Sequence, residues 1–156
     1  MNIPLNTVTE NTAMTEHIGR ELASLIANSG DLPRFVAMYG DLGVGKTSFV
    51  RGFCSDLCPA TTVKSPTFAL VNEYKCQNQV SGIKKVYHFD MYRIADEDDL
   101  YSIGFYDYLR TDAICIAEWC EMIPYALPEK YLKIEINKID LSDKRNITIE
   151  LIGGLY

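Results

Sequence analysis

Apolar positions in this chain recur at three different spacings, and each spacing predicts a different element. Within "TENTAMTEHIGRELASLIANSG", Ile18, Leu22, Leu25 and Ile26 lie on one helical face. Thr9 or Asn11 can cap that helix, and Gly30 ends it. The residues before it show no period and are read as irregular. "RFVAMYG" is a short unbroken apolar run, which suits a buried strand, and "KTSFVRGFCSDLC" then reads as a helix stopped by Pro59. "TFALVNEYKC" and "KKVYHFDMYRI" are strands on either side of a turn at "QNQVSG". "ADEDDLYSIGFYDYLR" opens with carboxylates that favour a helix N-terminus and continues as a helix or helical turns. "AICIAEW" reads as a short strand with an unbroken apolar run up to Glu118, whereas "YLKIEINKID" and "RNITIELIG" alternate like two antiparallel strands.

Strands alternate with helices early and stand alone late. That order predicts a three-layer α/β domain whose mixed sheet has a parallel core and antiparallel edge strands, flanked by helices. The 156 residues, 47% of them hydrophobic, suffice for one core without disulfides or metals, so residues 1–156 are read as a single domain.

Between the "RFVAMY" strand and the following helix, "GDLGVGKT" matches GxxxxGK[ST] in full. In such a phosphate loop the glycines Gly40, Gly43 and Gly45 let backbone N–H groups turn inward. Lys46 reaches the β and γ phosphates, and the Thr47 hydroxyl binds magnesium. A glycine-rich turn can match by accident, but strand, loop and helix in register argue for a bound nucleoside triphosphate. The fold is then a P-loop NTPase domain. Magnesium calls for a carboxylate at the end of a neighbouring strand, and two qualify: Glu118 after "AICIA" and Asp90 after "VYHF". Glu118 follows the more apolar run and is the leading metal ligand, with Asp90 left to orient water. "KSPTF" between loop and acids offers Ser65 and Thr67 hydroxyls beside a stiff Pro66, as a γ-phosphate sensor or as the ordinary start of a strand.

The nucleotide is contested by "NKID", in which Asn137, Lys138 and Asp140 match the guanine-reading Asn-Lys-x-Asp. A GTPase also carries DxxG, and the chain has "DMYR" there, with Arg93 in place of the glycine. Only sixteen residues follow Asp140, too few for the strand and closing helix a guanine pocket needs. "NKID" is therefore read as part of a hairpin. A small-molecule kinase, the other rival, would have an arginine-bearing lid, and arginines here are sparse.

A formal charge of −6 and the lack of a basic run argue against strong direct nucleic-acid binding. The five cysteines show no zinc or CxxC spacing and read as reduced packing residues. With no signal peptide or apolar span, the expected location is the cytoplasm.

The blocks "GDLGVGKTSFVRGF", "VKSPTFALVNEY", "VYHFDMYRI" and "DAICIAEW", in this order, resemble the bacterial TsaE (formerly YjeE) family over about Thr9 to Trp119. The resemblance implies an ATPase of tRNA threonylcarbamoyladenosine biosynthesis that binds ATP and Mg2+. It implies association with the TsaD–TsaB pair, contact with tRNA only through those partners, and ATP hydrolysis that resets the complex between turnovers. Carried over by position, Asp41, Leu42, Gly43, Val44, Gly45, Lys46, Thr47 and Ser48 form the nucleotide loop, and Thr47 and Glu118 hold magnesium. Lys46, Asp90 and Thr67 serve hydrolysis, and Thr15 lies where the N-terminal segment approaches the nucleotide. Trp119 is a site wall or contact surface, or else a core aromatic. Past Trp119 only the plan of an edge hairpin is recognisable.

Overall fold

The computed structural model describes residues 1–77 and 82–154; residues 78–81 of the expected "QNQVSG" turn lie outside them. Its elements are β1 (Leu5–Thr9), α1 (Thr12–Asn28), β2 (Phe35–Tyr39), α2 (Lys46–Leu57), β3 (Val71–Lys75) and β4 (Lys85–Asp90). There follow α3 (Glu97–Ser102), α4 (Phe105–Leu109), β5 (Ile114–Glu118), a 3-10 turn (Cys120–Met122), β6 (Tyr131–Lys138) and β7 (Arg145–Ile152). One seven-stranded sheet runs β1-β7-β6-β2-β5-β4-β3. β6, β2, β5 and β4 are parallel, and β7 and β3 run against their neighbours.

The two unbroken apolar runs are central for a physical reason. Each presents residues to both faces of the sheet, so each has to be covered twice. On one face, Val36, Met38 and Ile116 meet Leu22 and Ile26 of α1 and Phe49 and Phe53 of α2. On the other, Phe35, Ala37 and Ala117 meet Leu100, Phe105 and Ile123 from α3, α4 and the segment after the 3-10 turn. β6 alternates instead and sends Leu132, Ile134 and Ile136 only to the α1–α2 side.

α1 and α2 touch backbone to backbone. A Cβ on Gly19 would lie 2.3 Å from the Phe49 carbonyl oxygen, and one on Gly52 would lie 1.9 Å from that of Glu16. No larger residue fits at either position, and the close approach carries the N-terminal turn of α1 up to the phosphate loop.

Several boundaries differ from the sequence expectations. The supposedly irregular N-terminus contains β1, paired antiparallel with β7. Its burial alternates, but only Thr9 is fully buried and the polar LNTVT sequence does not carry that alternation. Asn11 is the cap of α1, its Oδ1 accepting from the Met14 N–H at 3.0 Å, and the helix ends at Asn28, capped by Ser29, before Gly30 is reached. β3 begins only at Val71, because Thr67–Leu70 form a turn in which the Leu70 N–H donates to the Pro66 carbonyl. The acidic segment splits into α3 and α4 at Gly104, whose φ of 71° suits glycine.

The β6–β7 hairpin is antiparallel as expected but does not form an edge. β6 joins β2 on its other side, and β7 is covered by β1. "NKID" closes this hairpin: Asn137 and Lys138 end β6, and Asp140 sits in the turn. Among the described residues no helix is long and apolar enough to cross a membrane.

Candidate functional site

Gly43 and Gly45 adopt φ values of 75° and 107°, which a side chain would strain, and α2 starts directly afterwards at Lys46. The first turn of α2 therefore points unpaired N–H groups into the space above β2. Lys46 is only 5% exposed. Its Nζ donates to the Gly40 carbonyl and, at 2.9 Å, to the Asp41 carbonyl, and lies 4.2 Å from the centre of the Trp119 ring. Desolvation lowers its pKa, while Glu118, Glu121, Asp90 and Asp41 oppose that shift. The loop thus holds a partly desolvated ammonium on its own carbonyls, from which an anion of higher charge can draw it.

β4 and β5 end side by side, with Asp90 opposite Glu118 in the register and Glu118 level with Met38, two residues before the loop. Both carboxyl groups are buried, and both have partners. Glu118 Oε1 accepts from Thr47 Oγ1 at 3.4 Å and lies 2.7 Å from His88 Nε2. Asp90 Oδ1 accepts from the Tyr92 N–H at 3.0 Å, and Oδ2 from Ser65 Oγ at 3.5 Å. In front of them opens a cavity of about 520 Å³.

The cavity gathers most of the residues singled out in the sequence: Leu42, Gly43, Gly45, Lys46, Thr47, Ser48, Thr67, Asp90 and Glu118. Asp41 faces outward and contributes its carbonyl, and Val44 is buried beneath the loop. Thr67 Oγ1 is turned onto the Ser65 carbonyl at 3.4 Å. Trp119 is a wall of the cavity, held at φ 61° and packed on Tyr92 at 4.8 Å.

Thr15 lies outside this cavity. It is buried against Thr9, Oγ1 to Oγ1 at 2.9 Å, and lines a separate cleft of about 40 Å³ with Val44, Gly45, Ser48, Asp143 and Arg145. Arg145, which sequence reasoning missed, touches the loop. Its Nε donates to the Val44 carbonyl at 2.8 Å, bracing the loop from β7. Nothing linear signals a contact between residues so far apart. The one available clue was a charged residue opening an otherwise alternating strand.

The donor set suits magnesium. Thr47 Oγ1 and Glu118 Oε1 are hard oxygens 3.4 Å apart at the cavity wall, with a second carboxylate, Asp90, on the adjacent strand. Among the described residues no three His, Cys, Asp or Glu side chains converge as a metal cage. A cation here would share few protein oxygens with substrate and water, as magnesium does.

The family model "Threonylcarbamoyl adenosine biosynthesis protein TsaE" matches residues 9–147. The chain belongs to the TsaE family. The match continues beyond Trp119, where the sequence resemblance stopped, and takes in β6 and Arg145. The tRNA threonylcarbamoyladenosine biosynthesis protein TsaE of Haemophilus influenzae is 43% identical over 114 residues, 73% of this chain and 68% of the relative. TsaE of Bacillus subtilis is 34% identical over 148 residues, 95% and 86% of the two chains. A crystal structure of Bacillus subtilis YdiB superposes with a TM-score of 0.72 at 29% identity, covering 99% of this chain and 88% of that one. The family's P-loop fold and mixed sheet are those described above.

Proposed function

We propose that this TsaE-family chain is a single-domain, Mg2+-dependent ATPase of the cytoplasm that works with a TsaD–TsaB pair in tRNA N6-threonylcarbamoyladenosine (t6A) formation, supporting turnover of that complex and meeting tRNA only through it. The observation that carries the reading is the contact between Thr47 at the start of α2 and Glu118 at the end of β5, 3.4 Å apart beside a buried Lys46.

On this reading Gly43 to Ser48 cradle the phosphates with their N–H groups, and Lys46 exchanges loop carbonyls for β and γ oxygens. Thr47 and Glu118 hold the cation, which supplies charge neutralisation across the phosphates. Asp90, fixed through Tyr92 and Ser65, lies beside Glu118 and orients the attacking water. Thr67 comes to the γ phosphate when its hydroxyl leaves the Ser65 carbonyl. Thr15 approaches the nucleotide from the α1 side, since Gly45 and Ser48 line both the main cavity and the small Thr15 cleft.

Phosphate release from ATP and from GTP, measured alone and with TsaD–TsaB, tests the proposal. ATP is expected to be turned over in preference, slowly alone and faster in the complex. Equal or better turnover of GTP would overturn it, and stoichiometric phosphoryl transfer to an added metabolite would replace it with a kinase.

A further inference from the structure

We propose that His88 and Tyr74 are positioning residues that couple the Glu118 carboxylate to the Lys64–Thr67 segment, so that the placement of this segment follows what Glu118 holds. The inference rests on the reading of Glu118 as a cation-holding group, and it adds the route by which the cation's presence reaches the part of the cavity lined by Ser65 and Thr67.

His88 is fully buried in the middle of β4. A buried imidazole needs partners for both nitrogens, and here both partners are side chains. Nε2 lies 2.7 Å from Glu118 Oε1 and Nδ1 3.0 Å from the Tyr74 hydroxyl; in the neutral imidazole that donates from Nε2 to the carboxylate, Nδ1 is an acceptor. That hydroxyl also lies 3.1 Å from the Lys64 carbonyl oxygen. A phenol has one hydrogen, and two acceptors compete for it. When it goes to His88, Asn72 Nδ2 still serves the Lys64 carbonyl at 3.0 Å. When it goes to Lys64, the segment gains a second anchor and His88 loses one.

Among the described residues, few other bonds hold this segment. Ser65 Oγ donates to Asp90 Oδ2, and the Thr67 N–H donates to the Ser65 carbonyl. Both acids thus grip the same four residues, Asp90 directly and Glu118 through His88 and Tyr74. Leu70, at φ 63°, is a left-handed joint between the segment and β3. A network satisfied by a single shared hydrogen has two arrangements, and a pull on Glu118 toward a cation biases the choice through His88.

Trp119 lines the cavity and is the chain's only tryptophan, so its fluorescence reports nucleotide binding directly. Affinities for ATP and ADP, each with Mg2+ and with EDTA, are measured for the unmodified protein, Glu118→Gln, Tyr74→Phe, His88→Gln and His88→Leu. Tyr74→Phe removes one hydroxyl and is expected to keep ADP affinity in Mg2+ while weakening ATP by about tenfold, the worth of one hydrogen bond. His88→Gln, which keeps a donor toward Glu118 but has no equivalent of Nδ1, is expected to match it. His88→Leu should lose the Mg2+ dependence as well. An ATP-to-ADP affinity ratio in Mg2+ that Tyr74→Phe leaves unchanged would overturn the coupling. If Glu118→Gln abolishes Mg2+ dependence and Tyr74→Phe changes nothing, the coupling alone falls. If the unmodified protein shows no Mg2+ dependence, the reading of Glu118 falls, and the coupling with it.

Discussion

The strands on the two sides of β2 are built to opposite rules. Toward β5 and β4, each strand ends in a buried carboxylate, and β4 places a buried histidine two residues earlier. Toward β6 and β7, the buried positions are Leu132, Ile134, Ile136, Ile147 and Ile149, without a buried polar side chain among them. Both sides flank the same loop, so proximity to the loop does not explain the difference. Coverage does. β4 and β5 are enclosed by helices on both faces, and there a carboxylate at a strand end is shielded from solvent and held by neighbours. β6 is packed hard on one face only and serves as the floor of the loop.

The contrast predicts that stability and binding separate by side. Ile134→Ala, on the floor, should cost about 3–4 kcal/mol in urea unfolding through a cavity the α1–α2 layer cannot close, while the folded fraction binds nucleotide normally. Lys46→Ala should do the reverse: calorimetry should show nucleotide affinity down by a hundredfold or more, about 3 kcal/mol, from lost charge-assisted bonds, with the urea midpoint little changed. Loss of folding in Lys46→Ala, or loss of binding by folded Ile134→Ala, would break the separation.

Glu118→Gln should reduce the Mg2+-dependent part of ATP affinity by about tenfold, roughly 1.4 kcal/mol, and leave affinity in EDTA unchanged, as read by titration of Trp119 fluorescence. An intact Mg2+ dependence in this variant would move the ligand role to Asp90. The smallest effect sharpens the comparison by crossing it. Arg145→Ala, on the floor side, should weaken nucleotide binding by a few-fold, about 1 kcal/mol or less, because Val44 loses a donor that fixes the loop from below. Calorimetry showing no change would confine Arg145 to the surface.

What the sequence made legible follows the same division. Strand, glycine loop and helix are contiguous, so the loop could be read from a single stretch, and a buried Glu118 at a strand end could be anticipated because "AICIA" is apolar on both faces. β1 escaped notice because Leu5–Thr9 buries only its last residue fully. Gly19 and Gly52 carry no mark of facing a neighbouring backbone, since a helical glycine reads only as a weak point. His88, Tyr74 and the Lys64 carbonyl sit on two strands and a turn, and their alignment depends on the β3–β4 register. Arg145 meets the loop only after β6 and β7 have folded back. Chemistry carried by neighbours in sequence was readable; chemistry assembled by strand pairing was not.

The outermost strands, β1 and β3, have five residues each, while β6 and β7 have eight. Charged Glu73 and Lys75 along the β3 margin disfavour pairing with another copy. Concentrated preparations should accordingly resist edge-to-edge pairing along β3, where each added strand would have to bring its backbone past Glu73 and Lys75.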